Sequence, residues 1–522
     1  MLRTQLYSDP GNRFLHDLIL ESCQRNANRS AIVDPSANRR ISYAEYGDLV
    51  STIARSLVSA GLQPGEVVAI HSPNSWEFCV SYHAITLAGG IPTLLNPTYR
   101  EREIRYQLEN SGAAIVISDG ALLHGVNLEG LPSLRRVYTT RNRKPGTQPF
   151  SDLLQPSTVA LPQPDRSSQE TLAALPYSSG TTGLPKGVML SHFNLVANVF
   201  QTIGPGAARL TREDIMLCFL PLYHIYGLNV ALNPALILGA TLVLMPRFNA
   251  EQLMKLIATE SVSMMPIVPP AMNAINQAAE AGLFPENHTL RWVKSGAAPL
   301  APELARRFTE LTGALVAQGY GMTEASPVTH LGYLAPELYK PESIGQPVAQ
   351  TDCRVLDEAG TEVAPGHPGE LVMRGPQFML GYWKEPQATA AVLREGWYWS
   401  GDVVTRDPQN FFYVLDRRKE MIKYKGFPVA PAEVEALLLE HPAVRDCGVI
   451  GRPDPTAGEI PAAFVVLREG QVACEKLKAE LCAFVAGNLT HYKQPREIHF
   501  IDAVPRTASG KILRRELRNQ FQ

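Results

Sequence analysis

Apolar residues along this 522-residue chain fall into two alternating patterns. Short runs at 67–70, 114–117, 216–220 and 241–244 read as strands buried on both faces. Between such runs, apolar residues recur at helical spacing, as with Leu253, Leu256 and Ile257 within 251–260. This alternation predicts an α/β fold, with parallel sheets covered by helices, up to about residue 415. From 366 to 414 the texture shifts to short β-rich pieces with many glycines and aromatics. Asp416 to Lys425 is heavily charged, and a new α/β pattern follows, with a helix at 431–439 and strands at 447–450 and 463–466. The expected division is a large domain at 1–415, carrying a β-rich subdomain, and a small α/β domain at 416–522.

Composition narrows the function. A chain that is 45% apolar and 19% charged is globular, and its net charge of −2 gives no reason to bind nucleic acid or anionic lipid. The longest apolar stretch, 230–245, is interrupted by Asn233, Pro234 and Thr241, which argues against a membrane span. Seven cysteines are scattered without any C-x-x-C, which fits neither a disulfide framework nor a zinc site. The first ten residues lack the apolar core of a signal peptide, so the expected location is cytoplasmic.

The richest local signal is Tyr177-Ser178-Ser179-Gly180-Thr181-Thr182-Gly183-Leu184-Pro185-Lys186-Gly187. Glycines and hydroxyls surround one lysine, with no carboxylate among them. Such a loop turns N–H groups and hydroxyls toward an anion. Ser191 sits where it can cap a helix bearing Leu195, Val196, Val199 and Phe200. The Walker spacing is absent, so this is a different phosphate loop. A surface linker is the competing reading, but it gives no use to Pro185-Lys186 or to Thr181-Thr182.

Other candidates cluster at expected strand ends. Pro221-Leu222-Tyr223-His224-Ile225-Tyr226-Gly227 follows a strand, where open α/β sheets face ligands, and His224 suits orienting a carboxylate. Lys294-Ser295-Gly296-Ala297-Ala298 follows an expected strand at 290–293, and a helix starts near Pro302. Gln318-Gly319-Tyr320-Gly321-Met322-Thr323-Glu324 offers an aromatic for stacking, a hydroxyl for phosphate and a carboxylate for Mg²⁺. Asp402, after Trp397-Tyr398-Trp399, suits two ribose hydroxyls; Lys511 stands beside Gly510 near the C-terminus. Each also has a plain structural reading: a core histidine, a tight turn, a solvated tail lysine.

In this order the motifs resemble the acyl-adenylate-forming superfamily over nearly the whole chain, most closely the 4-coumarate:CoA ligase group. The resemblance rests on 178–188, Tyr320 to Glu324, Gly369 to Gly375, Lys419 to Phe427 and Pro505 to Lys511. It implies ATP-dependent activation of a carboxylic acid as acyl-AMP, then transfer to coenzyme A. By resemblance, Ser178, Ser179, Gly180, Thr181, Thr182, Gly183 and Lys186 hold ATP phosphates, and Glu324 contacts Mg²⁺. Gly296, Ala297, Ala298, Gln318, Gly319, Tyr320, Gly321, Met322 and Thr323 surround the nucleotide, while Asp402 and Arg417 take the ribose. Lys511 bridges carboxylate and phosphate in the first step; His224 and Lys423 complete the catalytic set. Lys419 matches a hinge about which the C-terminal domain swings, and Lys425-Gly426 matches the coenzyme A region.

The acid pocket implied is Ile225, Tyr226, Asn229, Ile267, Lys294, Gly296, Ala297, Gly319, Pro327 and Val328, which suits a flat ring with a para-hydroxyl. Two positions depart from the coumarate ligases. Pro428 replaces a glutamine, which removes a donor and stiffens the moving segment. Thr329 and His330 replace apolar residues, which predicts a more polar far end of the pocket. Competing readings are a medium- or long-chain fatty acyl-CoA ligase and an adenylating enzyme that serves an amine or carrier protein.

Overall fold

The computed structural model describes residues 10–178, 184–204, 210–334, 338–417, 420–425, 427–507 and 510–520. Its largest sheet has nine strands, and its central six run parallel. In spatial order these six are Leu315–Gly321, Trp292–Ser295, Met264–Ile267, Ile215–Cys218, Thr241–Leu244 and Ser30–Asp34. The apolar run at 216–220 thus pairs with that at 241–244, and the runs at 67–70 and 114–117 pair in parallel within a second, five-stranded sheet. The expected strand at 290–293 lies two residues later, at Trp292–Ser295. There, Trp292 and Val293 are buried and pair with Met264 and Met265, whereas Arg291 faces water.

Helix Trp76–Leu87 is buried along nearly its whole length, in one core that both sheets share. Helix Pro302–Thr312 starts on its proline, and helix His192–Ile203 on Ser191, whose Oγ accepts the Asn194 N–H at 3.1 Å. The β-rich texture forms an antiparallel sheet of Asp352–Leu356, Gly369–Arg374, Trp397–Arg406 and Phe412–Arg417, joined at its edge by Leu393–Arg394. Beyond it, Ile422–Tyr424, Phe427–Val429, Val444–Asp454, Gly458–Leu467 and Glu497–Phe500 build a further sheet, packed on helices Pro431–Glu440 and Glu475–Asn488. No helix among the described residues is long and apolar enough to cross a membrane. All seven cysteines are unpaired.

Candidate active site

The carboxyl ends of the parallel strands open into a cleft of about 2080 Å³, enough for a nucleotide and an acid together. Ser178, His224, Ile225, Tyr226, Lys294, Gly296, Ala297, Gly319, Tyr320, Gly321, Met322, Thr323, Glu324, Pro327, Val328 and Asp402 line it, and so do Lys423 and Lys511 from the C-terminal sheet. Residues separated by up to 333 positions therefore face one space.

Glu324 and Asp402 are both buried, at 8% and 4% exposure, and both are already bonded. Ser178 Oγ donates to Glu324 Oε1 at 3.2 Å, and Tyr382 Oη donates to the same oxygen at 2.8 Å. Tyr382 also turns its ring toward the Lys186 ammonium, 5.7 Å from its centroid. Tyr382 was not singled out by the sequence motifs; the aromatic after Gly381 in a glycine-rich β segment was the available signal. Tyr320 Oη donates to Asp402, and its ring meets that of His330 edge-on at 5.7 Å. Gly321 has no alternative: a Cβ there would lie 1.9 Å from the Pro327 carbonyl oxygen.

His224 caps the short helix after it, its Nδ1 accepting the Tyr226 N–H at 3.2 Å. Burial lowers its pKa to about 4, so the ring is neutral and carries its proton on Nε2, as a donor. Tyr226 Oη donates to the Lys294 carbonyl at 2.7 Å, so its lone pairs stay available to a ligand hydroxyl. A Cβ on Gly296 would lie 3.2 Å from that Oη and 3.3 Å from the Gly319 carbonyl oxygen. Gly296 therefore packs against the Tyr226 phenol and the Gly319 backbone, and a side chain there would crowd both. Lys294 is buried at 4% exposure, and desolvation lowers its pKa to about 8.

Several expected residues lie elsewhere. Asn229 does not line the cleft: it is fully buried, and its amide donates to Ser326 O and Leu195 O. Ile267 is also fully buried behind the wall. Gln318 donates to the Pro341 carbonyl at 2.6 Å, and Lys186, Ala298 and Lys425 stand off the lining too. Thr329 and His330 do not make the pocket polar. Both are fully buried, and Thr329 Oγ1 sits 3.0 Å from His330 Nδ1. The backbone of Arg417 pairs with Asp402 across the sheet. Ser179, Gly180, Thr181, Thr182, Gly183, Lys419 and Gly426 lie outside the described residues.

The C-terminal lysines are held differently. Lys511 follows a turn closed by Thr507 and by Arg506, whose guanidinium bonds Asp446 and the Gly510 carbonyl. Gly510 lies against Pro270, at the start of helix Pro269–Glu280. Lys423 is exposed, on a strand whose N–H bonds Glu459.

Comparison with known families matches residues 19–383 to the AMP-binding enzyme family and 433–511 to the AMP-binding enzyme C-terminal domain. The chain belongs to the AMP-binding enzyme family. It is 37% identical to 4-coumarate-CoA ligase 1 of Narcissus pseudonarcissus over 98% of this chain and 94% of that protein. It is also 37% identical to the 4-coumarate–CoA ligase of Pinus taeda, over 97% and 95%. Among solved structures, the anthranilate CoA ligase AuaEII in complex with anthranoyl-AMP superposes with a TM-score of 0.88 at 26% identity, covering 97% of each chain. A benzoate CoA ligase from Burkholderia xenovorans LB400 superposes at 0.86 and 26%, over 97% and 100%. As a member of this family the protein is an AMP-forming acid–thiol ligase, with a small carboxylic acid, ATP and coenzyme A as its substrates.

Proposed function

We propose that the ligase activates a planar aryl acid of the hydroxycinnamate type, such as 4-coumarate, and passes it to coenzyme A. The observation that carries this reading is the Tyr226 phenol on the cleft wall, beside which Gly296 and Gly319 carry no side chain. With no side chain at either glycine a flat ring reaches the wall, and a para-hydroxyl donates to the phenol oxygen. The named activity of the plant relatives points the same way.

The family resemblance supplies the roles in the reaction. The acid carboxylate enters beside His224, whose Nε2–H orients it toward the α-phosphate. Loop 178–183 and Lys186 take the β- and γ-phosphates, Thr323 the α-phosphate, and Asp402 with Arg417 the ribose, while Tyr320 packs on adenine. Glu324 fits Mg²⁺ by its chemistry: Ser178 and Tyr382 occupy Oε1, and Oε2 has no partner among the described residues. No described cluster of three metal-type side chains exists, so Glu324 would share the ion with phosphate oxygens. When bound, Mg²⁺ neutralises charge on the leaving pyrophosphate. Lys511 bridges carboxylate and phosphate as the carboxylate attacks; such a cation is worth on the order of 10²–10³ in rate. Residues 416–522 then rotate about Lys419, withdrawing Lys511 and bringing Lys423, Lys425 and Gly426 to guide the thiol, which displaces AMP. A cytoplasmic location completes the reading, on the strength of seven unpaired cysteines.

The test supplies ATP, Mg²⁺ and coenzyme A with cinnamate, 4-coumarate, benzoate or decanoate, and follows AMP and thioester by mass spectrometry. Fastest thioester from 4-coumarate or cinnamate is expected. Preference for decanoate overturns the aryl assignment, and acyl-AMP without thioester overturns coenzyme A as acceptor.

A further inference from the structure

Behind the acid pocket runs a chain of buried polar side chains that the proposed reaction does not use. Tyr46, His83, Asn229 and Asn233 are each at 0% exposure. Asn229 Nδ2 donates to the Ser326 carbonyl at 2.6 Å and to Leu195 O at 3.2 Å, which fixes the orientation of that amide. Its Oδ1 therefore accepts, taking the Asn233 Nδ2–H at 2.7 Å. Asn233 Oδ1 in turn faces His83 Nε2 at 3.0 Å, so that nitrogen carries the proton. His83 is neutral, because burial lowers its pKa to about 4, and its Nδ1 faces Tyr46 Oη at 2.7 Å, a hydroxyl that also reaches the Cys79 carbonyl at 2.8 Å. From His83 through Asn233 to Asn229, one N–H of each residue thus points toward Ser326, and bonds aligned in this way polarise one another.

We propose that this relay positions the acid-pocket wall from the core, and that Asn229 acts on the acid through Ser326 rather than by touching it. The inference rests on the acid site proposed above. Ser326 is where the wall is set. It takes a left-handed φ of 66° and precedes Pro327 and Val328, both of which line the cleft. Its N–H reaches Thr323 O at 3.3 Å, closing the turn that carries Glu324. Asn198 grips the next peptide on both sides: its Oδ1 accepts the Val328 N–H at 3.0 Å and its Nδ2 donates to Val328 O at 2.7 Å. Asn229 itself lies in a π-helical turn, Leu228–Leu232, an irregularity that re-aims one side chain. Apolar side chains could fill the same volume; a directed relay instead fixes where one carbonyl stands.

The experiment measures ATP–pyrophosphate exchange with the best acid of the panel, together with Tm, for Asn229→Ala, His83→Phe, His83→Gln and the Asn229→Ala/His83→Phe double variant. A misplaced wall costs on the order of 10²-fold in kcat/KM. We expect about 100-fold for Asn229→Ala, mainly as a raised KM for the acid, and about tenfold for His83→Phe. Glutamine at 83 can accept from Tyr46 and donate to Asn233, so His83→Gln stays within about threefold of the parent. The double variant stays near 100-fold, because both changes cut one chain. Losses that multiply to about 1000-fold, or variants whose Tm falls while KM for the acid is unchanged, overturn the relay. A parent enzyme that activates no acid of the panel overturns the acid assignment instead.

Discussion

The two faces of the cleft are built to opposite rules. On the N-terminal face the functional carboxylates are buried and bonded: Glu324 holds two hydroxyls, and Asp402 takes the Tyr320 phenol. On the C-terminal face Lys423 is an exposed side chain, and Lys511 follows a turn fixed by its own Arg506–Asp446 pair. The first face is preorganised, so that little reorganisation is needed when charge develops. In the proposed reaction the second carries its lysines away without undoing the first. A change on the braced face should therefore cost stability and activity together, whereas a change on the other should cost activity alone.

The largest expected break is Glu324→Ala. It removes the carboxylate proposed for Mg²⁺ and with it the acceptor of two hydroxyl bonds, and it should lower adenylation on the order of 10²–10³-fold in pyrophosphate exchange, with a reduced Tm. Acid should come next, and should act on the N-terminal core behind that face. His16, His71, His83, His192 and His330 are buried, and desolvation holds all of them below their usual range, His330 at about 3 and His16, His71 and His83 at about 4. Below pH 6.5 the unfolded chain takes up protons that the folded one refuses. Their contribution is present above pH 6.5 and lost as pH falls toward 4, by about 1.4 kcal/mol per pH unit for each group. Thermal melts at pH 7 and pH 5 should show a steep drop, and Lys423→Ala should leave it unchanged.

Smaller effects sharpen the contrast. Tyr382→Phe loses one bond to a charged group, about 1.5–3 kcal/mol, so the Mg²⁺ concentration for half-maximal exchange should rise roughly tenfold. The least is Lys294→Met. With a pKa near 8, Lys294 is charged below that pH and neutral above it, so KM for the acid should rise a few-fold above pH 8. The methionine variant should lack that alkaline limb.

Much of this was legible in the sequence because it was local. Apolar runs predicted the parallel strands, Ser191 its helix start and Pro302 another. The carboxyl-end logic brought His224, Gly296 and Tyr320 into one cleft. What escaped was whatever depends on a side chain's facing across space. Asn229 reads as pocket lining until its amide is found bonded to Leu195 and Ser326 carbonyls, 34 and 97 residues away. Tyr382 has no motif that names Glu324, 58 residues upstream. Thr329 and His330 read as polar pocket ends, yet they bond to each other and stay off the lining. Strand periodicity says which face a residue takes, but not whether that face meets ligand or core.

The division of labour between the faces is tested most directly by separating the half-reactions. Lys511→Ala would be assayed first for acyl-AMP formation from acid and ATP, then for thioester formation from supplied acyl-AMP and coenzyme A. The account predicts a loss on the order of 10²–10³-fold in the first step, near-parent rates in the second and an unchanged Tm. Equal losses in both steps would contradict it, because Lys511 would then serve one fixed site rather than a face that departs.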